Sequence, residues 1–239
     1  MQDHLQIHCI DGQGLWSETY KRLYEIENSL NQLDFSYLSR FGYLTADPGQ
    51  SGTALTIRIF LHLPALLYTK QLEEIAVKQQ EEAIAMTSLD GRTDAFIGDL
   101  VVLYNRYTLG LSEEHIAQSL HTQAMKWMAA EKTFRSHLMH TADTELKDSI
   151  SRSLGLLLHS YQLQTRESLD GLSLIKLGLD LGWVEGIDHR TINRCLFQCR
   201  RAHLAHLFQD KIIDIEELPR KRAEFLHEKL KQTQLNISS

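Results

Sequence analysis

The sequence predicts an α+β fold, a sheet with helices packed on it followed by a small all-helical domain. Two observations carry this. Up to about residue 110, short period-two segments alternate with period-3.6 segments and turn-rich loops. From Ser112 onward, helical periodicity continues almost without a break. The expected division is residues 1–143 and residues 144–239.

In the first part, residues 5–10 alternate, with Leu5, Ile7 and Cys9 against Gln6 and His8, as in a strand. Gly12 and Gly14 mark a turn. Residues 16–33 place Trp16, Leu23, Ile26, Leu30 and Leu33 at helical spacing. Residues 42–45 and 55–63 read as strands around the turn-rich Asp47-Pro48-Gly49-Gln50-Ser51-Gly52. Residues 70–82 read as a helix. Residues 84–89 and 96–104 read as strands flanking Asp90-Gly91-Arg92-Thr93-Asp94.

In the second part, Ser112-Glu113-Glu114 supplies a capping residue and acids for the first turn of a helix reaching His140. Further helices are expected over 144–163, 168–181 (closed by Gly182), 190–208 and 217–231. The tail 232–239 reads as frayed. Trp127, Met125 and Met128 read as core, and His115, His121, His137 and His140 as surface.

With 239 residues, 43% of them hydrophobic, the chain can bury one sizeable core, or one core and a satellite domain. Lys and Arg number 25 against 31 Asp and Glu, a net charge of -6, which lacks the broad basic footprint of a nucleic-acid binder. The basic run Pro219-Arg220-Lys221-Arg222 reads as a solvated helix start. Three cysteines, Cys9, Cys195 and Cys199, fit a reducing compartment better than a disulfide framework. No apolar run is long enough for a membrane span, and the start Met-Gln-Asp-His has no leader pattern. A soluble cytoplasmic protein without membrane or nucleic-acid partners is expected.

Cys195, Cys199, His203 and His206 share one expected helix. Eleven helical residues span about 16 Å, too far for one ion whose ligands lie within ~2.3 Å. A packed helix face is the expectation, with the thiols as small hydrophobes. No Walker-type or GxGxxG loop is present.

Longer motifs are more specific. Gly42-Tyr43-Leu44-Thr45, then Pro48, Gly52-Thr53, Leu55 and Leu61-His62-Leu63-Pro64-Ala65-Leu66 follow one another in a compact segment. This resembles the signature segment of the guanidino (phosphagen) kinases, close to GYLTxCPTNxGTGLRASVxLxLPxL. Asp3-His4-Leu5 resembles the end of that family's NEEDHLRI strand. Asn105 and Thr108-Leu109-Gly110 resemble the end of its last core strand. Leu177-Gly178-Leu179-Asp180-Leu181-Gly182, with Glu185-Gly186, resembles the helical C-terminal domain of the bacterial protein-arginine kinases. The resemblance implies a mainly antiparallel guanidino-kinase catalytic core lacking its N-terminal part, then that helical domain. Complete members carry a further N-terminal region with nucleotide-contacting arginines.

Phosphoryl transfer is mostly positioning and charge stabilisation, with Arg side chains or Mg²⁺ around the nucleotide phosphates. The acceptor guanidinium, with a pKa above about 12, has to be held and deprotonated as it attacks. By the resemblance, the catalytic positions are Gln2, in place of the strand carboxylate, and Asp47, in place of the family's Cys. The nucleotide positions are Thr56, in place of an arginine, and Thr87 and Arg92, at the ends of the RGxxGE loop. Arg92 there replaces an acid and reverses the charge. Arg58 shares the strand face of Thr56, displaced by about 6.6 Å, and reads either as a phosphate ligand or as a sheet-surface arginine. Asp47 reads either as a guanidinium grip or as a turn residue before Pro48. Arg92 reads as a phosphate contact or a solvated loop residue. The RDxxRA phosphoarginine motif is reduced to Arg222-Ala223, with Arg222 its remnant.

The resemblance thus implies an ATP:guanidino phosphotransferase that uses ATP and Mg²⁺ on arginine in proteins, degenerate or incomplete in this chain. The alternative is an inactive pseudokinase that binds a partner such as a kinase activator or a Clp-type protease. Whether the chain is an enzyme stays open at this point, and a homodimer is compatible with the family.

Overall fold

A computed structural model of the chain describes residues 3, 5–12, 14–30, 32–78, 81–93, 95–141, 143–208 and 215–237. Helix and sheet are mixed, as the sequence predicts. Two compact units divide the chain. The first comprises Met1–Arg58, Glu82–Ala85 and Tyr104–Leu120, and the second Ile59–Glu81, Met86–Leu103 and His121–Ser239.

In the first unit, helix α1 spans Trp16–Ser29 and buries none of its residues fully. It ends earlier than its apolar spacing suggests. The Ser29 hydroxyl turns back to donate to the Ile26 carbonyl at 2.6 Å, and such local bonds compete with helix propagation. Strands β1 (Tyr37–Leu38) and β2 (Gly42–Tyr43) form a short antiparallel hairpin with Tyr37 opposite Tyr43. Residues 5–10 form no strand. Ile10 is 92% exposed, so the alternation there has no second layer to pack on.

Strands β3 (Arg58–His62), β4 (Ile84–Thr87) and β5 (Leu100–Asn105) form a three-stranded sheet in the order β3-β5-β4. Strand β3 starts three residues later than expected, because the preceding backbone bonds to a side chain. The Asn105 amide accepts from Ile57 N at 2.8 Å and donates to the Leu55 carbonyl at 3.0 Å. Strand β5 also starts late, after a 3-10 turn at Ile97–Asp99. In that turn Gly98 has φ 62, and a Cβ there would lie 3.1 Å from the Leu169 carbonyl.

The second unit holds the main core. Helix α2 (Pro64–Tyr68) begins on a proline, whose missing N–H costs nothing at that position. Helix α3 is Leu72–Lys78. Helix α4 runs Glu113–Thr141, its start capped by Ser112 Oγ accepting from His115 N at 3.2 Å. Helix α5 (Thr144–His159) is capped by Asp143, and α6 (Thr165–Asp180) by Glu167 accepting from Gln164 N at 2.8 Å. Leu146, Ile150 and Leu157 of α5 meet Leu172 and Ile175 of α6, all fully buried. Gly171 lets the two helices approach, since a Cβ there would press on Leu157 at 3.2 Å.

Four further readings are corrected. Met125 and Met128 are each 51% exposed and, three residues apart, share the solvent face of their helix, while Trp127 between them turns off that face and is buried. The expected helix over 190–208 breaks into α7 (His189–Gln198) and α8 (Arg201–Leu207). The basic run opens α9 (Leu218–Leu230), but Arg222 within it is buried rather than solvated. The tail is not frayed at Gln234–Leu235, which as β7 pairs antiparallel with β6 (Val184–Glu185). The four surface histidines of α4 are exposed as expected. Among the described residues no helix is long and apolar enough to cross a membrane.

Candidate active site

In the first unit the glycine-rich segment is folded by its own backbone. Tyr43 N donates to Gly52 O at 2.9 Å and Gly52 N returns a bond at 3.0 Å. A Cβ on Gly42 would sit 2.4 Å from the Gly52 carbonyl, so only glycine permits this approach. Thr108 fastens the far side, with Oγ1 donating to Ser51 O at 2.7 Å and N to Gly49 O at 3.0 Å.

Asp47 caps the 3-10 turn Pro48–Gln50 inside this segment. Its Oδ1 accepts from Gly49 N at 3.0 Å, and its carbonyl from Thr45 Oγ1 at 2.6 Å. The turn chemistry that competes with a guanidinium role is therefore realised. Oδ2 has no hydrogen-bond partner among the described residues. Thr56 Oγ1 donates to Gln50 Oε1 at 2.9 Å, and Gln50 Nε2 donates to the Arg106 carbonyl at 3.0 Å. Gln50 thus ties Asp47 and Thr56 into one cluster, a link that sequence reasoning missed. Arg58 is exposed at the start of β3, with no hydrogen-bond or ion-pair partner among the described residues. Gln2 lies outside the described residues.

Thr87 and Arg92 belong to the second unit. The Arg92 carbonyl accepts from Ser88 N at 2.7 Å and from Thr87 Oγ1 at 3.2 Å, while Arg92 N donates to Asp90 Oδ1 at 3.1 Å. These bonds close a tight loop and use Arg92 through its backbone.

Arg222 sits beneath the surface of the C-terminal helices, 3% exposed. Nε donates to the Cys199 carbonyl at 2.8 Å and Nη1 to the Leu163 carbonyl at 2.6 Å. Burial pushes the Cys195 thiol up to about 12 and that of Cys199 to about 11, so both are unreactive packing groups.

Two buried polar networks in the second unit were not foreseen, although His62 and Asp180 stand within the quoted motifs. Glu131 accepts from Ala65 N and Leu66 N at 3.0 Å each, satisfying the first amides of α2, and pairs with Arg135 Nε at 2.6 Å. Arg135 also bonds Asp180 and the His62 carbonyl. In the other network, the Ser173 hydroxyl donates to Asp99, so the His62 Nε2 that meets Ser173 Oγ at 2.7 Å carries the ring's proton. Burial, reinforced by Lys176 and Arg135, holds His62 well below the usual imidazole range, leaving the ring neutral. Burial pushes the Asp99 carboxyl up to about 6, against the lowering effect of the Ser173 bond.

Residues 1–134 match the ATP:guanido phosphotransferase, C-terminal catalytic domain, and residues 143–239 match the protein-arginine kinase McsB C-terminal domain. The chain belongs to the ATP:guanido phosphotransferase family. It is 43% identical over 206 residues to the protein-arginine kinase of Chlamydia pneumoniae, across 85% of this chain. It is 38% identical over 229 residues to that of Chlamydia muridarum, across 94% of this chain. It spans 57% and 64% of the length of these two relatives. Among solved structures, a taurocyamine kinase from Schistosoma mansoni aligns at 27% identity and a TM-score of 0.42, over 49% of this chain and 16% of that one.

Proposed function

We propose that the chain is a protein-arginine kinase-type phosphotransferase unit whose own catalytic set is incomplete. The class reaction moves the γ-phosphoryl group of MgATP to an arginine guanidinium in a protein. The guanidinium nitrogen attacks phosphorus and gives up a proton, and ADP leaves. The observation that carries this reading is the order of the two family matches, catalytic domain over 1–134 and protein-arginine kinase C-terminal domain over 143–239.

The residues present fit that chemistry in part. The unpartnered Arg58 guanidinium suits a nucleotide phosphate. Asp47 offers Oδ2 to a guanidinium while Oδ1 holds the turn. No group of three or more His, Cys, Asp or Glu is placed to hold a metal among the described residues, so Mg²⁺ would arrive on the nucleotide phosphates. Thr56 contributes a hydroxyl already engaged by Gln50, and Arg92 puts a cation where the family has an acid. Buried Arg222 is engaged by two carbonyls, which supports a structural role for the remnant of the phosphoarginine motif.

These substitutions favour a second reading for the chain by itself, a regulatory or adaptor protein. Such a protein would act in the cytoplasm on a kinase activator, a Clp-type protease or a second copy. Isothermal titration with MgATP separates the two, since the kinase-unit reading expects binding and the adaptor reading expects none; a transfer assay with an arginine-rich protein, read as acid-labile phosphate, tests for activity beside it. The incomplete-set reading expects no transfer by the chain alone. Transfer that disappears in Arg58→Ala would establish an active enzyme and remove the adaptor reading.

A further inference from the structure

The first unit carries an exposed aromatic face with a strong charge bias. Tyr37 is 57% exposed, and Tyr24 and Phe35 also lie open to solvent, whereas the Phe41 ring already carries the Arg40 guanidinium 5.3 Å from its centroid. Tyr37 and Phe35 each stand edge-on to Tyr43, with ring centroids 5.4 and 6.1 Å away. The Tyr43 hydroxyl donates to Glu27 Oε1 at 2.6 Å, and the Tyr20 hydroxyl donates to Glu113. Both carboxylates are half-buried, and neither has an ion-pair partner among the described residues. Their spare acceptor capacity therefore meets phenol rings and no cation. The imbalance extends to the whole unit, which holds ten Asp and Glu against five Lys and Arg, a net -5 of the chain's -6.

Exposed aromatic faces beside unneutralised carboxylates match one kind of occupant. A guanidinium is planar, always charged and weakly hydrated; it stacks on aromatic rings and takes bidentate bonds from carboxylates. An ammonium satisfies the charge but not the stacking or the fork. We propose that this face, built by Glu27, Tyr37, Tyr43 and Glu113, docks an arginine-bearing segment of a protein. It rests on the reading of the chain as a protein-arginine kinase-type unit and adds to it a surface that holds the substrate chain, separate from phosphoryl transfer.

The test is fluorescence anisotropy on the full chain, with a labelled Gly-Ser peptide carrying three arginines and matched peptides carrying three lysines or three citrullines. The expected order is arginine over lysine, with citrulline weakest. Tyr37→Ala is expected to weaken arginine-peptide binding about threefold, the scale of an exposed cation–π contact. Glu27→Gln is expected to weaken it about tenfold, the scale of a charge-assisted bond. Tyr37 is exposed, so its variant keeps the fold, which thermal melting checks. Equal binding of arginine and citrulline peptides, or unchanged binding in both variants, overturns the proposal. So does a dimer of the chain that Tyr37→Ala dissociates while no peptide binds, since the face would then be covered by a second copy. Phosphate transfer is measured separately, so docking without transfer leaves this proposal standing, and transfer without arginine preference at this face defeats it alone.

Discussion

The guanidinium of Arg222 takes the backbone carbonyl of Cys199, 23 residues earlier, at 2.8 Å, and this bond marks the place where one expected helix becomes two. Cys199 N still closes on Cys195 O at 3.0 Å, but Arg200 then turns to extended geometry, φ -81 and ψ 154. Arg222 thereby satisfies the Cys199 carbonyl at the break. Nη1 meanwhile satisfies the Leu163 carbonyl in the loop before α6. Arg222→Ala would strand two carbonyls and leave a cavity, so a loss of about 3 kcal/mol is expected, since each charged hydrogen bond of this kind is worth about 1.5–3 kcal/mol. Arg222→Lys should recover only part of that, because one ammonium cannot reproduce the fork. Urea unfolding of the two variants measures the order. Equal stability of Arg222→Lys and the parent chain would show that the fork does not matter.

Glu131 supports a second prediction. It is 4% exposed and holds the first two amides of α2 together with Arg135. Glu131→Gln keeps the shape but replaces one acceptor oxygen with a donor that faces an N–H. A loss of about 2–3 kcal/mol is expected, the scale of a buried polar group left unsatisfied. Lys132→Gln, on the exposed face of the same helix, should stay within about 0.5 kcal/mol. Chemical denaturation of the pair reads the contrast.

Much of the fold was legible in the sequence because its determinants are local. Ser112 caps its helix from an adjacent position, residues 144 onward start α5 as expected, and the alternation of residues 55–63 and 84–89 locates β3 and β4 within a few residues, while α6 starts three residues earlier than its apolar spacing suggests, at Thr165. What was missed depends on distant partners. The late start of β3 needs Asn105, the break at Cys199 needs Arg222, and the α2 cap needs Glu131. The pairing of Gln234–Leu235 with Val184–Glu185 likewise follows from no pattern within the tail. At the candidate site, the resemblance pointed to Asp47 and Thr56 by position and strand alternation pointed to Arg58, while Gln50, which joins Asp47 and Thr56, lies in the same segment and was given no role.

Arg58 supplies a prediction that separates binding from stability. Its side chain is exposed and unpartnered among the described residues, so Arg58→Ala should change unfolding by no more than about 0.5 kcal/mol. Under the proposed function it should weaken ATP binding about tenfold, the scale of one charge-assisted phosphate contact. Thr56→Arg returns a cation to the family's position, two residues before β3, and should strengthen binding. Isothermal titration with ATP measures both. Unchanged affinity in Arg58→Ala would reduce Arg58 to a sheet-surface residue.

Asp99 and His62 give the chain a pH dependence with opposing parts. Burial raises the Asp99 carboxyl from 3.8 to about 6, so the folded state binds that proton more tightly than the unfolded chain does. Its contribution to stability is full below about pH 4 and is lost as pH rises through 6. His62 runs the other way. Its ring is held well below 6.5 by burial, so its contribution is present above pH 6.5 and lost as pH falls toward its folded value. Asp99→Asn removes the first part and retains an acceptor for the Ser173 hydroxyl. The variant should match the parent near pH 4. It should gain on the parent as pH rises, by up to about 3 kcal/mol at pH 7, at 1.36 kcal/mol for each pKa unit of difference. Unfolding free energies of both proteins across pH 4–7.5 test this. A stability difference that does not grow with pH would mean that Asp99 is already ionised without cost in the folded chain, and that the Ser173 bond outweighs its burial.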